Sequence, residues 1–388
     1  MKDRVLIPDA EYGRRVQRAA KLAAEAGLDV LVANSNEADY ANCRYFSGYW
    51  PLFEIGGVAI APGGQAALMI GPESETYARD RSHIDNIHKL VEYRESADPA
   101  YPGVQVSGFS DVFASIGVTG PNRIGVAGYL VTTMPVYEGL RGAFPEAEIV
   151  NADNIMTSLR QIKSPAELAC LREGFRISEA ALDVVLDNIK AGMTELQAVG
   201  IIQKALYENG AEYESHPVYV LSAGSTAHAI SRPTHRTLEP NDMVQLNLGG
   251  RVDGYSPSVG RPICLGKMTP RRRELVEFGL EAHHKTCGWM KAGVVASEVA
   301  KKYEELFRRR GYQDAFLYGP CHGLGMIEVE KPWMETVSDY PLAENMTFQV
   351  DTFLQDGDFG LRWENGVRVA ANGVEMLSQS HMEIIELG

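Results

Sequence analysis

The stretch Leu159-Arg160-Gln161-Ile162-Lys163-Ser164-Pro165-Ala166-Glu167-Leu168 divides the chain. Ser164 offers a side-chain acceptor to a helix N-terminus, and Pro165 occupies the first helical position, where its missing N–H costs nothing. Glu167, three residues after the cap, can return a hydrogen bond to Ser164. The pattern predicts a helix from Pro165 towards Lys190, ending before Gly192. Working outward to the C-terminus, Thr194–Asn209, Pro270–Ala292 and Ser297–Arg310 read as helices, the last stopped by Gly311. Strand-like runs at Val218–Ser222, Met243–Leu248, Thr347–Leu354 and Val367–Ala370 lie between and after them. Helices and strands are segregated, which predicts an α+β domain over residues 159–388.

Outward to the N-terminus, the elements alternate. Asp9 caps a predicted helix reaching about Ala26, with Val16, Ala19, Ala20 and Ala23 on one side and Gly27 as its stop. Asp29–Ala33 reads as a strand, and Gly57–Ala61 with Ala66–Ile70 as a hairpin around Pro62-Gly63-Gly64. Arg123–Ala127 and Glu148–Ala152 are further strands, with a helix at Met134–Gly142 between them. A smaller α/β domain over residues 1–158 follows from this order.

The 388 residues are enough for two such domains, and 45% hydrophobic with 23% charged residues is a globular balance. The net charge of −14 argues against nucleic acid and anionic membrane as partners. Arg271-Arg272-Arg273 and Arg308-Arg309-Arg310 read as solvated helix faces, and the His283-His284 doublet as surface. Cys43, Cys170, Cys264, Cys287 and Cys321 have neither a disulfide framework nor metal spacing. The N-terminus shows no secretory pattern and no run has membrane-span length, so the expected location is the cytoplasm.

Four pieces carry chemistry. They are the helix entry quoted above, the run from Asn247 to Arg261 with Tyr255 inside it, the loop Gly319-Pro320-Cys321-His322-Gly323-Leu324-Gly325, and the paired segments Asn345–Asp351 and Gly360–Asn365. In this order they resemble the creatinase / Xaa-Pro peptidase / methionine aminopeptidase superfamily. The resemblance spans nearly the whole chain. It implies a pita-bread catalytic domain preceded by a creatinase-type N-terminal domain. Peptidases of that family hold two metal ions with two Asp, one His and two Glu, and here those positions read Asn247, Ser258, His322, Asp351 and Glu364. A pair of divalent ions needs several anionic oxygens, and Asn with Ser supplies none. The resemblance therefore implies no dinuclear centre and no required cofactor, with a residual single divalent ion at His322, Asp351 and Glu364 as the alternative.

Creatinase itself is a member without metals, and Leu246-Asn247 is shared with it. Counting back from Asp242, creatinase's catalytic His falls on Ile230, so His228 and His235 are the nearby candidates. Gly260 stands where creatinase has Glu before Arg261. The expected catalytic residues are His322, Glu364 and Asp351. Substrate contacts are assigned to His228, His235, Tyr255, Arg261, Glu330, Trp333, Arg362 and Glu54. Glu330 aligns beside the family's second loop His, whose place Val329 takes. Glu54 and Trp333 fall where creatinase uses two Arg to hold a carboxylate, which predicts a cationic group at that end of the substrate.

The expected activity is creatinase-like hydrolysis of a C–N bond in a small non-peptide nitrogen compound. The alternatives are a metal-dependent Xaa-Pro aminopeptidase or dipeptidase with a reduced site, and a non-catalytic small-molecule binder. The resemblance also implies a homodimer.

Overall fold

The computed structural model describes residues 4–357 and 359–388, and these divide into two compact units. Pro8–Arg160 forms one, and the described residues of Gln161–Gly388 together with residues 4–7 form the other. Among the described residues, no helix is long and apolar enough to cross a membrane.

The first unit is built on a six-stranded mixed sheet. Its strands run in the order Ile87–Lys89, Ala66–Ile70, Gly56–Ile60, Val30–Ser35, Arg123–Ala127, Glu148–Asn151. Val30–Ser35 is buried along its whole length, which explains the apolar run Val30–Ala33 at its start. The helix Asp9–Glu25 buries Tyr12, Val16, Ala19, Ala20 and Ala23, and Gly27 ends it at a φ of 66° that favours glycine. Asp9 is the first helical residue; its cap position is taken by Pro8.

The second unit is an α+β domain around a nine-stranded sheet. The main path runs Glu330–Met334, Cys321–Gly323, Thr347–Asp356, Phe359–Ala370, Val259–Cys264, Met243–Leu248, Tyr219–Ser222. Its long helices are Pro165–Asn188, Glu195–Glu208, Pro270–Trp289 and Ala296–Arg309. The capping box forms: Ser164 Oγ accepts from Glu167 N at 3.3 Å, and Glu167 Oε2 accepts from Ser164 N at 2.7 Å. Trp363 is fully buried and donates to the Val276 carbonyl at 3.0 Å, fixing the strand Phe359–Ala370 to the helix Pro270–Trp289. His283 on that helix is fully buried, contrary to the surface reading of the doublet, and burial pushes its pKa down to about 3. One His of the pair faces the apolar core, and the helical period turns its neighbour outward.

Strand register places the chemistry. Asn247 pairs with Gly260, Gly260 with Glu364, and Glu364 with Asp351, so these four positions form one row across the sheet. His322 and Gln349 make the next row, with Trp333 beyond His322. Because side chains alternate along a strand, Gln349 and Asp351 project to one face, as do Arg362 and Glu364. Gly260 leaves room in this row: a Cβ there would stand 2.7 Å from Glu364 Cβ and 2.8 Å from Asn247 Nδ2. We expect Gly260→Ala to cost about 1–3 kcal/mol, read from urea unfolding, because backbone and polar side chains must shift. A substitution without effect on the midpoint would contradict the packing of this row.

Candidate active site

The buried face assembles three carboxyl groups, an imidazole and a guanidinium. His322 is 2% exposed, and its Nδ1–H donates to the Gly323 carbonyl at 3.0 Å. That bond leaves the Nε2 lone pair free, 3.7 Å from Glu328 Oε1. His322, Glu328 and Glu364 each bring a ligand atom within 4.8 Å of the others. Glu364 accepts from Gln349 Nε2 at 2.8 Å, from a close Asn247 Nδ2, and from the Glu328 carboxyl.

The two glutamates share a proton unequally. Burial raises the Glu328 pKa well above the carboxylate range, and the charge of Glu364 and their hydrogen bond raise it further. Burial also opposes ionisation of Glu364, but the Glu328 hydrogen bond, Arg362, His322 and His216 outweigh it and hold that group low. Two carboxyls this close cannot both ionise cheaply, so Glu328 holds the proton and Glu364 the charge.

Asp351 has different partners. Tyr318 donates to its Oδ2 at 2.7 Å, and Arg362 Nε lies 2.9 Å from its Oδ1. That approach is an ion pair without in-line hydrogen-bond geometry. Burial raises the Asp351 pKa, and the guanidinium is the main opposing influence. Arg362 also donates from Nη2 to the Ala229 carbonyl at 2.9 Å and to Tyr318 Oη at 2.7 Å.

The donor set does not fit two ions. Asn247 turns an N–H towards Glu364, Ser258 Oγ sits 3.0 Å from His216 Nε2, and Asp351 is held by Arg362 and Tyr318. It does fit one ion, held by His322 Nε2 and the carboxylates of Glu328 and Glu364. This cluster has Glu328 where the expected triad of His322, Asp351 and Glu364 had Asp351, whose carboxylate faces Arg362 and Tyr318 instead.

Other expected site residues lie elsewhere. Arg261 is fully buried and donates to the carbonyls of Ser380, Gly260 and Glu364, so it braces strands. Tyr255 donates to Glu167 Oε1 at 2.8 Å, tying its loop to the capping box. Glu330 forms a buried ion pair with Lys163 at 3.2 Å. His228 and His235 are exposed, and Ile230 between them is 87% exposed. Trp333 lies on the site wall, its ring 5.3 Å from that of His322. Glu54 belongs to the first unit, where it is buried and accepts from Glu73 N, Ser74 N and Ser74 Oγ. Its oxygens are committed to a turn, which removes the basis for the expected cationic substrate group.

Sequence reasoning missed Glu328, His216 and Tyr318. The register shifts between His322 and Gly323, an irregularity that sequence spacing alone does not show. His216 was signalled only by a His-Pro pair before an apolar strand, and Tyr318 only by its place four residues before His322.

Residues 169–371 match the model of metallopeptidase family M24, and residues 15–162 that of the creatinase/prolidase N-terminal domain. A Xaa-Pro dipeptidase of Pyrococcus furiosus is 24% identical over 96% of this chain and 99% of its own length. A Xaa-Pro dipeptidase of Lactobacillus helveticus is 28% identical over 64% of this chain and 68% of its own. The crystal structure of X-Pro aminopeptidase from Thermotoga maritima superposes with a TM-score of 0.82 at 22% identity, covering 96% of this chain and 99% of that one. These relatives overturn the expectation of a creatinase-like hydrolase for a non-peptide compound and favour the Xaa-Pro peptidase alternative.

The proton on Glu328 has a measurable consequence. A carboxyl whose folded pKa is raised contributes stability that is present below its unfolded value and lost as pH rises through the folded one. Chelator-treated protein should therefore lose stability as pH rises above the ordinary glutamate range more steeply than its Glu328→Gln variant. Gln keeps a donor facing Glu364 and cannot ionise. Parallel urea midpoints over that rise in pH would contradict the shared proton.

Proposed function

The chain belongs to metallopeptidase family M24, and from that premise we propose that it is a peptidase of the Xaa-Pro type working with a single divalent ion. The observation that carries this reading is the trio His322, Glu328 and Glu364, with ligand atoms within 4.8 Å of one another and one imidazole lone pair left free. A bound ion would supply Lewis-acid polarisation of the scissile carbonyl.

The residues of the chain do the rest. To hold a cation the trio would need Glu328 without its proton, so loading would be favoured at higher pH. Arg362 neutralises Asp351 from within the protein, at the position where the family's metal-binding peptidases carry an acidic ligand. Tyr318 joins the two by accepting from Arg362 and donating to Asp351. Gln349 and Asn247 hold Glu364 in one orientation. Burial keeps bulk water from screening these charges, so each counts for more during the reaction.

The test is hydrolysis of Xaa-Pro dipeptides and of longer peptides with Pro second, using protein loaded with Mn²⁺, Co²⁺ or Zn²⁺. Cleavage before Pro that is abolished by chelation is expected, and Glu328→Gln should weaken metal affinity by about 100-fold. Metal-loaded protein that cleaves none of these peptides, or cleavage indifferent to chelation, would overturn the reading.

A further inference from the structure

Ser258 stands where the family resemblance places an acidic metal ligand, and it offers a hydroxyl oxygen there. Asn247 and Ser258 cannot hold a second ion, so an attacking hydroxide bridged between two ions has no support here. The bond cleaved under the reading above still needs a nucleophile. We propose that Ser258 Oγ is that nucleophile and that His216 is its base.

The geometry is that of an activated hydroxyl. Ser258 Oγ lies 3.0 Å from His216 Nε2, and His216 Nδ1 lies 2.8 Å from the Pro217 carbonyl. A carbonyl only accepts, so Nδ1 carries the hydrogen and Nε2 the lone pair. The hydroxyl must then donate to Nε2, as a serine paired with a base requires. Tyr219 packs edge-on against the imidazole at 5.7 Å. Gln349 Nε2 bonds both the Ser258 carbonyl, at 2.7 Å, and Glu364 Oε1, which fixes this serine beside the carboxyl cluster. Burial lowers the His216 pKa, Glu364, the Pro217 carbonyl and Glu214 pull it up, and Arg362 opposes them. The ring is therefore mostly neutral near pH 7 and free to accept. The loop histidines His228 and His235 are in solvent and leave this task open.

The step balances. Ser258 Oγ bonds to the scissile carbonyl carbon while its proton passes to His216 Nε2. Collapse breaks the C–N bond, the departing amine takes that proton, and the acyl group remains as an ester on Ser258. Water then attacks the ester through the same base, the C–O bond breaks, and the proton returns to Ser258 as the acid leaves.

Ser258 is enclosed, so the probe must be small. Full-length protein treated with methanesulfonyl fluoride should carry one adduct on Ser258 by peptide mass spectrometry, and Ser258→Ala should carry none there. His216→Gln, with its fold checked by circular dichroism, should label about 100-fold more slowly. In unsubstituted protein the labelling rate should rise with pH as His216 loses its proton, a readout that needs no variant. Absence of the Ser258 adduct, or equal rates with and without His216, would overturn the proposal. Peptide cleavage without labelling removes the nucleophile alone, and labelling without cleavage of any Xaa-Pro peptide removes the peptidase reading alone.

Discussion

Three carboxyl groups, those of Glu328, Asp351 and Glu364, converge in a buried space beside the guanidinium of Arg362. Unpaired charge in such a place is expensive, and every other feature of the site responds to that imbalance. Arg362 settles on Asp351. The remaining two acids share a proton, and the amides of Asn247 and Gln349 aim their N–H groups at the one that ionises. One divalent ion in place of the proton would bring three negative charges and the guanidinium to neutrality. A second would leave an excess with no anionic ligand to meet it, since Asn247 and Ser258 are neutral.

That arithmetic separates this chain from the two-ion arrangement while leaving its scaffold intact. The sheet rows that present Asp351, Glu364 and His322 are set by strand register, and register does not depend on what stands at 247 or 258. Two substitutions therefore change the charge of the site without disturbing the backbone that carries it. Gly260 shows the same economy: where a side chain would crowd Glu364 and Asn247, there is none.

The fold was legible because its signals are local and ordered. The capping box at Ser164 and Glu167, the Gly-flanked His322 and the paired closing strands each announce an element and occur in a recognised sequence. His322, Asp351, Glu364 and Arg362 were legible for the same reason, and the structure brings them together. What failed were assignments made by counting through loops. Glu330 and Val329 drew attention away from Glu328, and the register shift between His322 and Gly323 does not show in sequence spacing. Glu54 was placed by counting along a hairpin, and its carboxylate caps a turn. Arg261 and Tyr255 lie beside the right motifs, but they hold strands and loops together. Partnerships such as Ser258 with His216, 42 residues apart, arise from folding alone.

The most direct measurement is an anomalous difference map from crystals of the protein grown with Mn²⁺ or Zn²⁺. A single peak per chain is expected, bonded to His322, Glu328 and Glu364, with Arg362 still against Asp351. Two peaks, or one peak bound to Asp351 with Arg362 displaced, would contradict the account.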